Sequence, residues 1–221
     1  MACCRTWTTG LLALLVVACA SAQAGAQTEV REFSVQVDGK PAGQYTMTIT
    51  KHDDGSESMS GQATVRVKHV LGTYTFTYQG VERWKGGRLV ELKSSSNDNG
   101  KRFTVSAAAE GNVLRVNVNG AVRQLSGDSW TTTYWRLADA RFHNQSVPLL
   151  DADTGKEMSG RLQYVGVEEV NLGSQAQKCY HFRVSGPAAA DLWFDGSQRL
   201  VREDMTVDGH RSVFHLTGLK R

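Results

Sequence analysis

The sequence predicts an all-β fold: a single antiparallel sheet, curled or closed into an open β-barrel of about 11–12 strands, with one short helical plug. Three observations carry this. Apolar and polar residues alternate through run after run of the chain. Asp-Gly and Asn-Gly turns, which supply the positive φ that tight hairpins need, separate many of the runs. Only 3 prolines occur, and no helical repeat stands between strands as a βαβ crossover demands.

The first meander runs to about Gly127. Phe33, Val35 and Val37 alternate with Ser34 and Gln36, so the run has one apolar face and one polar face. After Asp38-Gly39, Tyr45, Met47 and Ile49 alternate with threonines. Beyond Asp54-Gly55, one face takes Met59, Gly61, Ala63, Val65, Val67, His69 and Leu71. The next strand is the most aromatic, with Tyr74, Phe76 and Tyr78 together. The same parity places Glu82 and Trp84 inward unless a bulge at Gln79-Gly80 exchanges the faces. Leu89–Ser95, then Phe103, Val105 and Ala107, then Leu114, Val116 and Val118 complete this half.

Gly127–Gln145 is the long interruption. Ser129–Arg141 suits one short helix, with Ser129 as cap and Leu137 and Ala138 favouring it, while Thr131-Thr132-Thr133 limits its length. Trp130, Tyr134 and Trp135 are expected to face the concave sheet. The second meander follows: Arg161–Val170, then Tyr180, Phe182 and Val184, then Leu192 and Phe194, and a final hairpin of Leu200–Val207 and Ser212–Leu216. Residues 27–221 read as a single domain.

Residues 1–26 read as a signal peptide. Arg5 precedes the apolar block Leu11–Ala18, which is too short to span a bilayer, and small residues follow. Ala20-Ser21-Ala22 and Ala24-Gly25-Ala26 both suit release of a soluble protein. Alternatively, 1–18 is a lipoprotein signal, with Val16-Val17-Ala18-Cys19 as lipobox and Cys19 acylated. The expected location is exported and periplasmic, free or membrane-anchored. No later stretch is apolar enough for a transmembrane helix. Without Arg5, 24 basic residues face 22 acidic ones. These charges are interspersed, which excludes the basic footprint of nucleic-acid binding. Cys179 is the one cysteine outside 1–26, and its expected place is a buried apolar site.

The chemistry-bearing residues form no catalytic or metal motif, and no cofactor is implied. The six histidines lack metal-ligand spacing, and His69 is expected among apolar partners. Asp151-x-Asp153-x-Gly155 lacks the remaining calcium ligands and reads as a turn. Gly127-Asp128-Ser129-Trp130 has the composition of one esterase nucleophile block but lies mid-chain in a β pattern. The aromatic set is more suggestive. Tyr74, Phe76, Tyr78, Trp84, Trp130, Tyr134, Trp135 and Trp193 are the candidate ligand-binding residues, for an apolar small molecule or a lipid such as an acyl chain. The alternative is an envelope scaffold or assembly factor whose barrel is filled and which contacts a protein partner through its surface. The third reading is an enzyme using the inward carboxylates Glu82 and Glu203.

Glu82-Arg83-Trp84-Lys85-Gly86-Gly87-Arg88-Leu89, Asn97-Asp98-Asn99-Gly100, Tyr134-Trp135, Asp153-Thr154-Gly155 and Asp191-Leu192-Trp193-Phe194-Asp195 occur in that order. Together they resemble a family of exported bacterial β proteins known only as a domain of unknown function. The resemblance covers nearly all of the chain after the leader and implies no activity. At fold level the hairpin series with its plug is similar to the open barrels of periplasmic lipoprotein carriers of the LolA/LolB type. That similarity implies an apolar concave face for acyl chains.

Overall fold

The computed structural model describes residues 27–70, 72–173 and 175–221. The expected leader, Cys19 and Leu71 lie outside them. Eight strands build the first meander: β1 (Gln27–Val37), β2 (Lys40–Lys51), β3 (Ser56–His69), β4 (Gly72–Lys85), β5 (Arg88–Asp98), β6 (Lys101–Glu110), β7 (Val113–Val118) and β8 (Ala121–Ser126). The second contains β9 (Trp130–Thr131), β10 (Gln145–Leu150), β11 (Glu157–Leu172), β12 (Gln175–Ser185), β13 (Ala190–Phe194), β14 (Leu200–Val207) and β15 (His210–Lys220). β1 pairs antiparallel with both β2 and β15, which joins the two meanders into one 15-stranded sheet.

The edges of that sheet are β8 and β9, which are consecutive in the chain. Four Cα–Cα steps separate Ser126 from Trp130, a reach of at most about 14 Å. The sheet must therefore curl until its edges nearly meet. Its inward faces, from Phe33 on β1 to Leu200 on β14, merge into one core. Part of the curvature is set where Gly61 and Gly80 stand directly opposite each other on the inner face. A Cβ at Gly61 would come within 2.8 Å of the Tyr45 hydroxyl, and one at Gly80 would overlap the Tyr78 hydroxyl. The two tyrosine rings cover this notch and meet edge-on at 6.4 Å.

The observed strands exceed the expected 11–12 because β8, β9 and β10 have weak signatures. Leu125 alone is buried on β8, and β9 has two residues. Pro148 argues against a strand at β10, but it sits beyond the short β9 pairing, on an edge where its missing N–H costs no ladder bond. The expected helix over Ser129–Arg141 reduces to one 3₁₀ turn, Ala140–Phe142, capped by Asp139. Ser129 does not cap a helix; its hydroxyl donates to the Ser126 carbonyl at 2.7 Å. The plug is thus mostly extended chain. β3 and β4 pair in unbroken register through Gln79-Gly80, so Glu82 and Trp84 keep their inward parity. His69 lies exposed at the end of β3, not among apolar partners.

A second, smaller core forms on the outer face. β10 pairs with β11 only up to Leu162, and β13 pairs with β12 only from Tyr180. The hairpin between them, from Gly166 to Lys178, therefore projects as an arm. Its Val170 packs with Cys179, Trp193 and Val201, with Leu172 and Leu216 at the margin. Cys179 is the buried apolar residue expected, and desolvation pushes its thiol up to about 11. Among the described residues no helix is long and apolar enough to cross a membrane.

Candidate functional site

Strand period brings the inner residues of β4 into line. Tyr74 and Phe76 are half-buried near one end, while Tyr78, Glu82 and Trp84 are buried. Burial and the neighbouring Asp98 carboxylate push the Tyr74 phenol up. The segment after β8 lays Trp130, Tyr134 and Trp135 against this row, all buried in the same core. Tyr134 adopts a left-handed backbone, φ 47°, which redirects the chain so that two adjacent bulky residues both enter the interior. Trp130 and Tyr134 meet edge-on at 4.8 Å. Of the eight candidate residues, only Trp193 faces the other way. Leu192 and Phe194 take the inner positions of β13, and Trp193 lies in the outer core. It does not line the concave face.

Glu82 is the node of the inner site. It is fully buried, and the Trp84 and Trp135 indole N–H groups donate to Oε2 at 2.7 and 2.9 Å. Thr131 Oγ1 lies 3.0 Å from Oε2, Thr133 Oγ1 lies 2.7 Å from Oε1, and the two hydroxyls are 3.0 Å apart. Two hydroxyl protons cannot fill three O···O contacts. A protonated Glu82 completes the ring: Oε1–H donates to Thr133, Thr133 to Thr131, and Thr131 to Oε2. Burial acts the same way, pushing the carboxyl above its ordinary range, although the four hydrogen-bond partners pull it down. Arg136 covers this node, with its guanidinium 4.9 Å from the Trp84 ring and 5.5 Å from the Trp135 ring, and pairs with Glu57 at 3.3 Å. Arg31 donates to the Trp135 carbonyl at 2.7 Å. Thr131 and Thr133 were legible only as β-branched residues; their role as partners of Glu82 depends on a contact across half the chain.

The loop after β10 fills the rest of the first half-sheet. Ser94 and Ser96 donate to the carbonyls of Ala152 and Asp153 at 2.5 and 2.7 Å, and Gly155 fits against Val105 and Val118. Asp151 accepts the Asp153 N–H at 2.9 Å and the Thr154 hydroxyl at 2.7 Å, which makes this the expected turn. Among the described residues no group of three or more His, Cys, Asp or Glu is placed to hold a metal ion. Asp153 is pushed up to about 8, first by burial and then by Asp151 and Asp98. Glu203 also faces inward, and burial raises it well above the ordinary carboxylate range. Its Oε1 and the hydroxyls of Tyr45 and Tyr78 are buried without a protein partner. The two inward carboxylates thus differ: Glu82 is engaged by its own chain, whereas Glu203 retains a free oxygen.

On the outer face lies a polar cluster that alternation alone does not reveal. His181 Nδ1 is 2.8 Å from Glu168 and Nε2 is 2.6 Å from Asp191. The His181 ring stacks on Trp193 at 4.4 Å, and the Trp193 N–H donates to Glu168 at 2.9 Å. Three strands contribute, so only the pairing register could have disclosed it.

A family model described as a domain of unknown function (DUF6134) matches residues 33–217. The chain belongs to this family. The DUF6134 match runs from β1 into β15 and so takes in both meanders, the segment at Glu82 and the outer arm. No curated protein matches the sequence. Among solved structures, the chain is similar to a β-barrel-like protein of domain of unknown function DUF1849 from Brucella abortus, at 9% identity. That likeness covers 88% of this chain and 97% of that chain, with a TM-score of 0.62. At this identity it speaks for the fold, an open barrel-like sheet, and for nothing more.

Proposed function

We propose that this DUF6134 protein is a non-catalytic exported envelope protein that acts through its outer surface, its barrel interior serving as a packed core. One observation carries the reading: the concave aromatic face is covered by the chain's own Trp130–Trp135 segment, held through Glu82. An acyl chain seated there would have to displace two indoles and break that hydrogen-bonded ring. Two recesses, of about 440 and 460 Å³, both open outward to solvent. Mass spectrometry of the protein purified under non-denaturing conditions from the cell envelope tests this. The expected result is the bare polypeptide mass, apart from any covalent acyl group at Cys19. One non-covalent lipid per chain would overturn it.

A second reading, an apolar ligand entering at the barrel end, has one observation in its favour. Tyr164, Val165, Val167 and Tyr180 leave an apolar strip exposed near the root of the arm. The fold-level similarity to LolA/LolB-type carriers implies the same reading. Its mark is a lipid that protects these residues from labelling.

A further inference from the structure

The outer face of β3–β6 carries a groove of about 440 Å³ that runs across the strands. Its floor is the backbone of the cross-strand row from Ala63 to Phe103. Gln62, Gln79 and Ser95 stand in register along one wall, and Thr64, Thr77 and Asn97 along the other. Four strands at sheet spacing give the groove a length of about 14 Å. Arg102 stands at one end as the single charged side chain lining it.

Two facts set this groove apart from an ordinary solvated face. Among the described residues, the side chains of Gln62, Thr64, Thr77, Gln79 and Ser95 make no hydrogen bond to the protein, so their donors and acceptors are offered outward. The outer face of β12–β15, by contrast, is laced with ion pairs, Arg183–Asp191 at 2.8 Å and Arg202–Asp204 at 3.1 Å among them. Solvation tolerates charge on one outer face of this sheet, yet the groove walls carry none.

The chemistry narrows the occupant. A nucleic acid needs a basic stripe. An acyl chain needs an apolar lining. An added peptide strand needs a free sheet edge, and the backbones of β3, β4 and β5 are paired on both sides. Amide and hydroxyl side chains each donate and accept, which matches a ligand whose own groups do both. We infer that the groove binds an uncharged, polyhydroxylated chain, a neutral oligosaccharide of a few sugar units. It has no flanking aromatic platform, so the binding is weak, with a Kd on the order of 1 mM.

The inference rests on the reading that the protein acts through its outer surface, and its test separates the two. The purified protein is titrated with neutral tetrasaccharides (chitotetraose, cellotetraose, maltotetraose) and followed by amide chemical-shift mapping. At least one should shift amides of β3–β6 selectively and saturably. A Thr77→Asp/Gln79→Glu double variant, with unchanged circular dichroism, should bind at least tenfold more weakly. No shift at about 10 mM of any of the three overturns the groove, as does equal binding by the folded variant or preference for an acidic oligosaccharide. A lipid found inside the barrel would overturn the outer-surface reading instead, whatever the titration shows.

Discussion

At the residue scale, the proton count around Glu82 makes a distinction that geometry alone does not. If the carboxyl is neutral, glutamine reproduces it: the amide N–H replaces Oε1–H toward Thr133, and the amide oxygen still accepts from Trp84, Trp135 and Thr131. Glu82→Gln should therefore change the unfolding free energy by less than about 1 kcal/mol at pH 7. Glu82→Ala strands two indole N–H groups in the core and should cost about 3–5 kcal/mol in a urea titration. A large loss for glutamine would show that the site holds a carboxylate after all. Trp135→Ala should also cost about 3–5 kcal/mol, because a buried ring, its bond to Glu82 and its cover by Arg136 all go together. A loss near 1 kcal/mol would instead mark this segment as a loosely held lid.

At the element scale, what was legible follows from what the signal depends on. Alternation depends only on a strand's own residues, so β1–β7 and β11–β15 are visible as strands, as is the inward parity of Glu82, Trp84 and Glu203. β8–β10 are edge pieces stabilised by neighbours distant in sequence, and their own residues say little. Trp193 shows the same limit for the site. Its strand was expected, but which face it takes depends on the irregular register between Trp193 and Phe194, where Leu200 becomes the next partner. The projecting β11–β12 arm was invisible because it reflects the shortness of β10 and β13. It makes a prediction of its own. The arm and the outer core seal Cys179, whose thiol burial pushes up to about 11. A disulfide reagent at pH 8 should label it at least about 100-fold more slowly than a free thiol. Val170→Ala should speed labelling by loosening the arm while the far-ultraviolet spectrum stays unchanged. Rapid labelling of the unaltered protein would mean that the arm does not seal the site.

At the scale of the whole molecule, two populations of carboxyls set the pH dependence, and they pull in opposite directions. Asp153, Glu203 and Glu82 are raised, each chiefly by burial. Above the ordinary carboxylate range the folded state keeps protons that the unfolded chain has lost, so unfolding releases protons. Their contribution is full below an ordinary carboxylate pKa and declines as pH rises; for Asp153 the decline runs up to about 8. Each such proton contributes a slope of about 1.4 kcal/mol per pH unit. Glu29, Asp204 and Glu168 are lowered by arginine, histidine and tryptophan partners, and Asp38 and Asp54 by hydrogen bonds at turns. Their contribution is present above the ordinary range and is lost as pH falls through it. Stability should therefore peak at roughly pH 4–5 and fall toward pH 8, on the acid side of the usual optimum. Urea midpoints measured from pH 3 to 9 give the curve directly. Asp153→Asn removes one of the raised groups while keeping its size, so it should flatten the alkaline limb and leave the acid limb in place. A maximum near pH 7, or an alkaline limb indifferent to this substitution, would mean that water reaches these carboxyls and that the interior is less completely filled than its packing indicates.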